Sequence, residues 1–197
     1  MNRKGWIAFG VVAVLATIGA LKLPDPQPAP GIPEPEQGQK ELQGRAPSIS
    51  AKTSDGKDVD LASLIKDGSV YLYFIKKDCP INARAIGFYN DISKAYKDKT
   101  RIVGVFNGTA DELKEYNKDH ATPYKVVLDP QHNIIEKYKV DRSPWVIEVD
   151  QSGLVGRVWK GYSQGFLQEL NEAVASASKL EKAKVDLSKA PKDPAYG

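Results

Sequence analysis

From Ala46 onward the chain alternates short apolar runs with stretches whose apolar residues return every three or four positions. Ser48 to Thr53 and Val59 to Leu61, on either side of Asp55-Gly56, predict a small hairpin. Val70-Tyr71-Leu72-Tyr73-Phe74-Ile75 is continuously apolar and aromatic, as a strand buried on both faces must be. Ile81, Ala85, Phe88, Ile92 and Ala95 then follow helical spacing, and Ile102 to Phe106 is a second buried strand. Thr109 and Glu112 have the spacing of a capping box and open a helix reaching about His120. Lys125 to Leu128 predicts a third strand, and Ile134 to Tyr138 a short helix or turn. Trp145 to Val149 and Val155 to Trp159 flank Asp150-Gln151-Ser152-Gly153 as a hairpin. Phe166, Leu167, Leu170, Ala173, Val174 and Ala177 line one face of a last helix. The order is a hairpin, then βαβαβ, then ββα. This predicts an α/β fold with a central mixed sheet and helices on both faces.

The two ends do not follow this pattern. Arg3 and Lys4 precede an uncharged run from Gly5 to Leu21, about 17 residues and at the lower edge of what crosses a bilayer. Residues 1–23 are therefore expected to be a membrane anchor. The alternative is a cleaved signal peptide, which would release the domain as a secreted protein; no small-x-small cleavage site stands out, since Ile18-Gly19-Ala20 begins with a bulky residue. Residues 24–43 carry Pro24, Pro26, Pro28, Pro30, Pro33 and Pro35, a composition that favours an extended spacer over helix or sheet. Positive charge stays on the cytoplasmic side, so the domain, residues 44–179, is expected to face the periplasm or the extracellular side. The segment 180–197 is rich in lysine, contains Pro191 and Pro194, and predicts a charged, solvated and mobile tail.

Charge and composition narrow the chemistry. Twenty-eight basic residues against 25 acidic ones leave a net charge of +3 with no basic stripe, so no nucleic-acid partner is expected. Cys79 is the single cysteine. An intrachain disulfide, a CxxC zinc site and a multi-cysteine iron–sulfur cluster are excluded. His120 and His132 lack thiol or carboxylate partners at ligand spacing, so neither a metal nor another cofactor is expected. Asn107-Gly108-Thr109 fits a glycosylation acceptor but is explained more simply as a strand end and helix cap.

Cys79 lies where a buried strand gives way to a helix, in Lys76-Lys77-Asp78-Cys79-Pro80-Ile81-Asn82. Asp78 is the expected N-cap, and Pro80 suits the first turn because the N–H it lacks has no helical partner there. A thiol in that turn faces the positive end of the helix dipole, and Lys76, Lys77 and Arg84 add positive charge while Asp78 opposes it. These conditions favour the thiolate, the reactive form. A small buried hydrophobe is the competing reading of such a cysteine, and proline and charge around it speak against that reading.

The motifs Gly44-Arg45-Ala46-Pro47, Ser54-Asp55-Gly56-Lys57, the strand ending in Cys79-Pro80, Leu128-Asp129-Pro130, and Ser143-Pro144 before a strand ending at Asp150 occur in order. In this the chain resembles the redoxin branch of the thioredoxin superfamily, which includes peroxiredoxins and membrane-anchored thioredoxin-like reductases. The resemblance spans about Gly44 to Ala177 and implies a thioredoxin fold. It also implies a cis Ser143–Pro144 bond beside Cys79, and it brings Trp145 close to the same place.

The departures shape the functional expectation. Asn82 stands where a dithiol reductase has its second cysteine. Lys76 and Leu72 stand where a peroxiredoxin has the threonine and proline that orient peroxide, although Arg142 offers a cation. The leading expectation is a monothiol oxidoreductase in which Cys79 attacks a protein disulfide or an oxidised sulfur and an external thiol reductant resolves the mixed disulfide, with Asn82 donating to the thiolate. The alternatives are a one-cysteine peroxidase acting on peroxide and a non-catalytic module binding an extended polypeptide along Cys79, Pro144 and Trp145.

Overall fold

The computed structural model describes Leu42 and residues 44–197. The expected anchor and almost all of the proline-rich spacer lie outside the described residues. Among the described residues no helix is long and apolar enough to cross a membrane.

Among the described residues eight strands and five helices follow one another: β1 (Gly44–Arg45), β2 (Ser50–Lys52), β3 (Asp58–Asp60), α1 (Leu61–Ile65), β4 (Val70–Ile75), α2 (Pro80–Tyr96), β5 (Ile102–Phe106), α3 (Ala110–Asp119), β6 (Lys125–Leu128), α4 (Asn133–Lys137), β7 (Trp145–Val149), β8 (Leu154–Lys160) and α5 (Gln164–Ser178). A 3-10 turn, Lys97–Lys99, follows α2. Six strands form one sheet in the order β1-β8-β7-β4-β5-β6, while β2 and β3 pair as a separate hairpin. β4, β5 and β6 run parallel, and β7 and β8 are antiparallel to their neighbours. This is the expected thioredoxin-like arrangement with a mixed central sheet.

The alternation of side chains along a strand divides β4 between two cores. Tyr71, Tyr73 and Ile75 meet α2 and α5 through Ala85, Ile86, Tyr89, Leu170 and Val174. Val70, Leu72 and Phe74 face the opposite layer, where Ile49, Leu64, Ile134 and Tyr138 pack. Gly104 in β5 permits that density. A Cβ there would stand 3.1 Å from Tyr124 Cε2 and 3.2 Å from Ile75 Cδ1.

Two expectations need correction. Ala95 is exposed, and the buried stripe of α2 is Asn82, Ala85, Ile86, Tyr89, Asn90, Ile92, Ser93 and Tyr96. Polar residues inside the stripe shift its phase from the one that the apolar residues alone suggest. Residues 180–197, expected to be solvated and mobile, instead pack along the domain, with Leu187 and Ala190 in the core. Their backbone and buried contacts outweigh the charge of the intervening lysines.

Candidate functional site

β4 ends in the first core, and the chain turns once before α2 begins. Cys79 N–H donates to Lys76 O at 3.1 Å, closing that turn, and Ala83 N–H donates to Cys79 O at 3.1 Å, opening the helix. Cys79 is itself the N-cap, with extended backbone and Pro80 following, so Asp78 is not the cap. The cap places sulfur over the first turn. Asn82 N–H points at Cys79 Sγ from 3.4 Å, and the thiol donates toward Ser143 O at 3.6 Å. A sulfur acceptor thus replaces the usual oxygen in satisfying one of the free N–H groups of the helix.

Ser143 arrives from the other side of the site on the segment entering β7. The Ser143–Pro144 bond is cis, as the resemblance implies. Ser143 and Pro144 are buried, whereas Cys79 is half-buried.

The side chain of Asn82 does not reach the sulfur. It is fully buried, and it joins four elements: Tyr73 Oη donates to its Oδ1 at 2.7 Å, and its Nδ2 donates to Tyr116 Oη at 3.0 Å. Ser143 Oγ lies 3.2 Å from Asn82 Oδ1 and 3.1 Å from Phe74 O, with one proton to give to either. The polar position taken in the sequence as a donor to the thiolate is therefore a clamp behind the thiol, and only its backbone N–H faces sulfur. Burial pushes the Tyr116 phenol up to about 12, with the Asn82 hydrogen bond acting in the opposite direction. Tyr116 and Tyr73 escape a sequence reading because each looks like an ordinary core aromatic; only their hydroxyl partners reveal the network.

Lys76, Lys77 and Arg142 are engaged with other groups, while Arg84 lies exposed on α2. Lys76 Nζ donates to Asp141 O, and Lys77 pairs with Glu112. That pairing, followed by the Thr109 backbone N–H, draws the Glu112 carboxyl down to about 2. Arg142 lies 3.8 Å from Asp141 Oδ2, with its guanidinium 4.9 Å from the Tyr196 ring centroid. Asp78 and Pro80 are exposed at the rim. Trp145 is also displaced from its expected place: it packs in the second core with Phe74 and Tyr138, and Lys160 Nζ lies 4.8 Å from its ring centroid. Being the residue after Pro144, it takes the other face of β7. The neighbours of Cys79 are instead Ser143 and the residue at 197, where a Cβ would stand 3.5 Å from the sulfur and 2.9 Å from Ile81 Cγ1.

Among the described residues no group of three or more His, Cys, Asp or Glu side chains is placed to hold a metal ion. The His120 ring lies tilted at 46° to the Tyr116 ring with centroids 4.8 Å apart, and His132 precedes α4 in a left-handed conformation. The chemistry available is that of one sulfur nucleophile at a helix start, beside a strand-like backbone edge.

The model of the AhpC/TSA family matches residues 42–158, more than half of the chain. The chain belongs to the AhpC/TSA family. This redoxin family includes thiol-disulfide oxidoreductases and peroxiredoxins, whose substrates are thiols, disulfides or peroxides. A search of curated proteins finds no sequence match. Solved structures share the fold. The thioredoxin domain of a thiol-disulfide oxidoreductase from Bacteroides vulgatus is 22% identical at a TM-score of 0.56, covering 68% of this chain and 97% of that one. A secreted disulfide oxidoreductase of Mycobacterium tuberculosis is 18% identical at a TM-score of 0.53, covering 70% and 98%. The peroxidoxin BcpB of the same organism is 17% identical at a TM-score of 0.55, covering 71% and 98%. Both branches of the AhpC/TSA family are thus represented among the folds similar to this one, and the site residues must distinguish them.

Proposed function

We propose that this AhpC/TSA protein is a thiol-disulfide oxidoreductase that works through Cys79 alone. The observation that carries the reading is the position of Cys79 Sγ, 3.4 Å from the Asn82 N–H in the first turn of α2 and 3.6 Å from Ser143 O. A thiolate there attacks one sulfur of a substrate disulfide, forming a Cys79–substrate disulfide while the other substrate sulfur leaves as a thiolate. Asn82 brings no second thiol, so an external thiol must attack the mixed disulfide. That attack returns Cys79 as thiolate and leaves the external sulfur joined to the substrate; a second external thiol then frees the substrate as a thiol, and the two external sulfurs leave as a disulfide. Lys76 and the buried Leu72 do not supply the hydroxyl and proline of a peroxide site, which supports disulfide over peroxide as substrate.

The test is mass spectrometry of the intact protein after brief exposure to glutathione disulfide, followed by turnover of a fluorescent disulfide peptide with reduced glutathione. A mixed disulfide on Cys79, reversed by thiol, and turnover lost in Cys79→Ser are the expected results. No adduct above that of the denatured chain would overturn the reading. Sulfenic acid formation with catalytic peroxide removal would assign the protein to the peroxidase branch. A second reading, a non-catalytic peptide-binding module, draws support from the backbone of Ser143, which already pairs with another segment. Peptide binding that survives Cys79→Ser, without turnover in either protein, would select it.

We further propose that residues 1–23 anchor the domain outside the cytoplasm, with residues 24–43 as spacer and a membrane as partner. The charged flank Arg3-Lys4 and the apolar run support this. Alkaline phosphatase fused after Gln39 should be active in cells, and an inactive but fully expressed fusion would reverse the topology.

A further inference from the structure

We infer that the segment from Ala183 to Gly197 is an intramolecular competitor for the peptide edge beside Cys79, and that its last residues must lift away before an extended polypeptide can pair there. The inference rests on the proposed role of Cys79 and adds the step that controls access to it.

The segment divides into two unequal halves. Its first half is held from inside the domain. Asn171 Nδ2 donates to Ala183 O at 2.9 Å, and Ala183 N–H donates to Tyr96 Oη at 3.1 Å. Leu187 and Ala190 are buried, Gln164 Nε2 donates to Ser188 O and Ala190 O at 3.1 Å each, and Gln164 N–H donates to Pro191 O at 2.8 Å. The second half, beyond exposed Lys192, Asp193 and Pro194, is held almost wholly by backbone. Ala195 and Tyr162 exchange two hydrogen bonds at 2.9 Å, and Gly197 and Ser143 exchange two more at 2.9 Å. Tyr196 stays largely exposed, its ring beneath Arg142.

This second half makes an isolated antiparallel bridge between Ala195 and Tyr162, just after β8, and then reaches the backbone that precedes Pro144 through Gly197. Ser143 N–H and C=O are both committed to residue 197, so no other chain can pair with Ser143 while they are. Gly161 shows how closely the segment approaches: a Cβ at that position would stand 2.6 Å from Ala195 O. At the far end, a Cβ on residue 197 would clash with Ile81 Cγ1 at 2.9 Å, so the Ile81 side chain would have to shift to admit any side chain there. Backbone pairing is sequence-tolerant, so a substrate strand can replace the segment bond for bond. The buried first half keeps the released end nearby at high effective concentration, which makes the competition intramolecular and reversible.

The test compares the full chain with two variants that leave Cys79 and its hydrogen-bonded neighbours untouched. One lacks residues 192–197, and the other is Ala195→Pro, which removes the N–H donated to Tyr162 O. Each is reacted with iodoacetamide and with an extended peptide carrying a mixed disulfide of its cysteine with thionitrobenzoate. Unfolded chains in denaturant give the intrinsic thiol rate, and amide exchange reports opening at Ser143. Both variants should react with the peptide about tenfold faster than the full chain, as expected when a mostly closed population becomes mostly open. The Ser143 amide should exchange faster in both and be re-protected by a cysteine-free extended peptide. Equal and measurable peptide rates in all three proteins, or unchanged Ser143 exchange, would overturn the inference. Faster alkylation and Ser143 exchange in the variants, with no disulfide exchange in any protein, would support the competitor and refute the oxidoreductase reading. Disulfide exchange at one common rate would do the reverse.

Discussion

Asn82 is the residue at which the site and the fold depend on one another, and its removal tests that dependence quantitatively. In Asn82→Ala the phenol of Tyr73, wholly buried, loses the carboxamide oxygen it donates to at 2.7 Å. An orphaned buried hydroxyl costs about 1–3 kcal/mol. Tyr116 also loses a partner but is only partly buried, and Ser143 keeps Phe74 O as its alternative acceptor, so these two add on the order of 1 kcal/mol. The expected loss is about 3 kcal/mol, which lowers Tm by roughly 6–12 °C in a domain of this size.

Tyr73→Phe alone should cost only about 1 kcal/mol, because Asn82 Oδ1 still has Ser143 Oγ within reach at 3.2 Å. In the double variant the orphan no longer exists, and the total should be about 2 kcal/mol rather than the additive 4. The coupling energy is then about 2 kcal/mol, inside the range found for directly hydrogen-bonded pairs. Urea unfolding of the four proteins, followed by tryptophan fluorescence and fitted to two states, measures it. A coupling below about 0.5 kcal/mol would mean that Tyr73 and Asn82 are not partners. The clamp would then not explain how the thiol turn, β4 and the Ser143 segment are held together.

Three further predictions concern charge and packing. The Glu112 carboxyl should titrate near 2 by NMR, and Lys77→Met should raise that midpoint; because its folded value lies below the ordinary 4.5, its stabilising contribution is complete above 4.5 and fades as pH falls toward 2. A midpoint near 4.5 in the wild type would show that the Lys77 pair does not persist in solution. Tyr116 has a folded value of about 12 against 10 for a free phenol, so its contribution is present below pH 10 and is lost as pH rises toward 12; burial raises Tyr71, Tyr73, Tyr89, Tyr124 and Tyr138 in the same direction. Ultraviolet titration should therefore find these phenols ionising together with unfolding, and ionisation near pH 10 with the fold intact would contradict the burial. Gly104→Ala should cost about 1–3 kcal/mol through overpacking against Tyr124 and Ile75, and a neutral effect in urea unfolding would mean that the β5 contact is looser than described.

The parts of the molecule that sequence reveals and conceals differ by physical cause. β4 is legible because six consecutive apolar and aromatic residues have only one use in an α/β domain, as a strand buried on both faces. The Thr109 cap is legible because its bonds are local: its side chain accepts from Glu112 N–H and its own N–H meets the Glu112 carboxylate. Asp78 fails by the same kind of rule, because an acidic side chain is a better cap in general, yet the turn after β4 ends one residue later and puts the sulfur in that role. α2 is found but misphased, since Asn82, Asn90 and Ser93 belong to its buried face and a count of apolar residues passes over them. Trp145 is misplaced because position beside a proline does not determine which face of a strand a side chain takes; alternation does.

The last segment is the most instructive failure, because its composition is that of a solvated tail and its contacts are not made by composition. Five lysines, from Lys179 to Lys192 inclusive, give it the look of a disordered segment. What orders it is a pair of apolar residues, Leu187 and Ala190, together with backbone groups that any sequence possesses. Backbone pairing at Ala195 and Gly197 leaves no trace in residue type, except the glycines at 161 and 197, where an added Cβ would stand 2.6 Å from Ala195 O and 2.9 Å from Ile81 Cγ1. The same indifference to side chains suits the edge at Ser143 to many polypeptides, so specificity must come from elsewhere. The nearby candidates are the Arg142 guanidinium, which now covers an aromatic ring, and the exposed rim at Asp78 and Pro80. A peptide with an aromatic residue one position from its reacting sulfur would inherit the Tyr196 contact with Arg142, a cation–π contact of roughly 0.5–1 kcal/mol at an exposed site. That increment is small enough to bias the choice among extended chains without preventing their release.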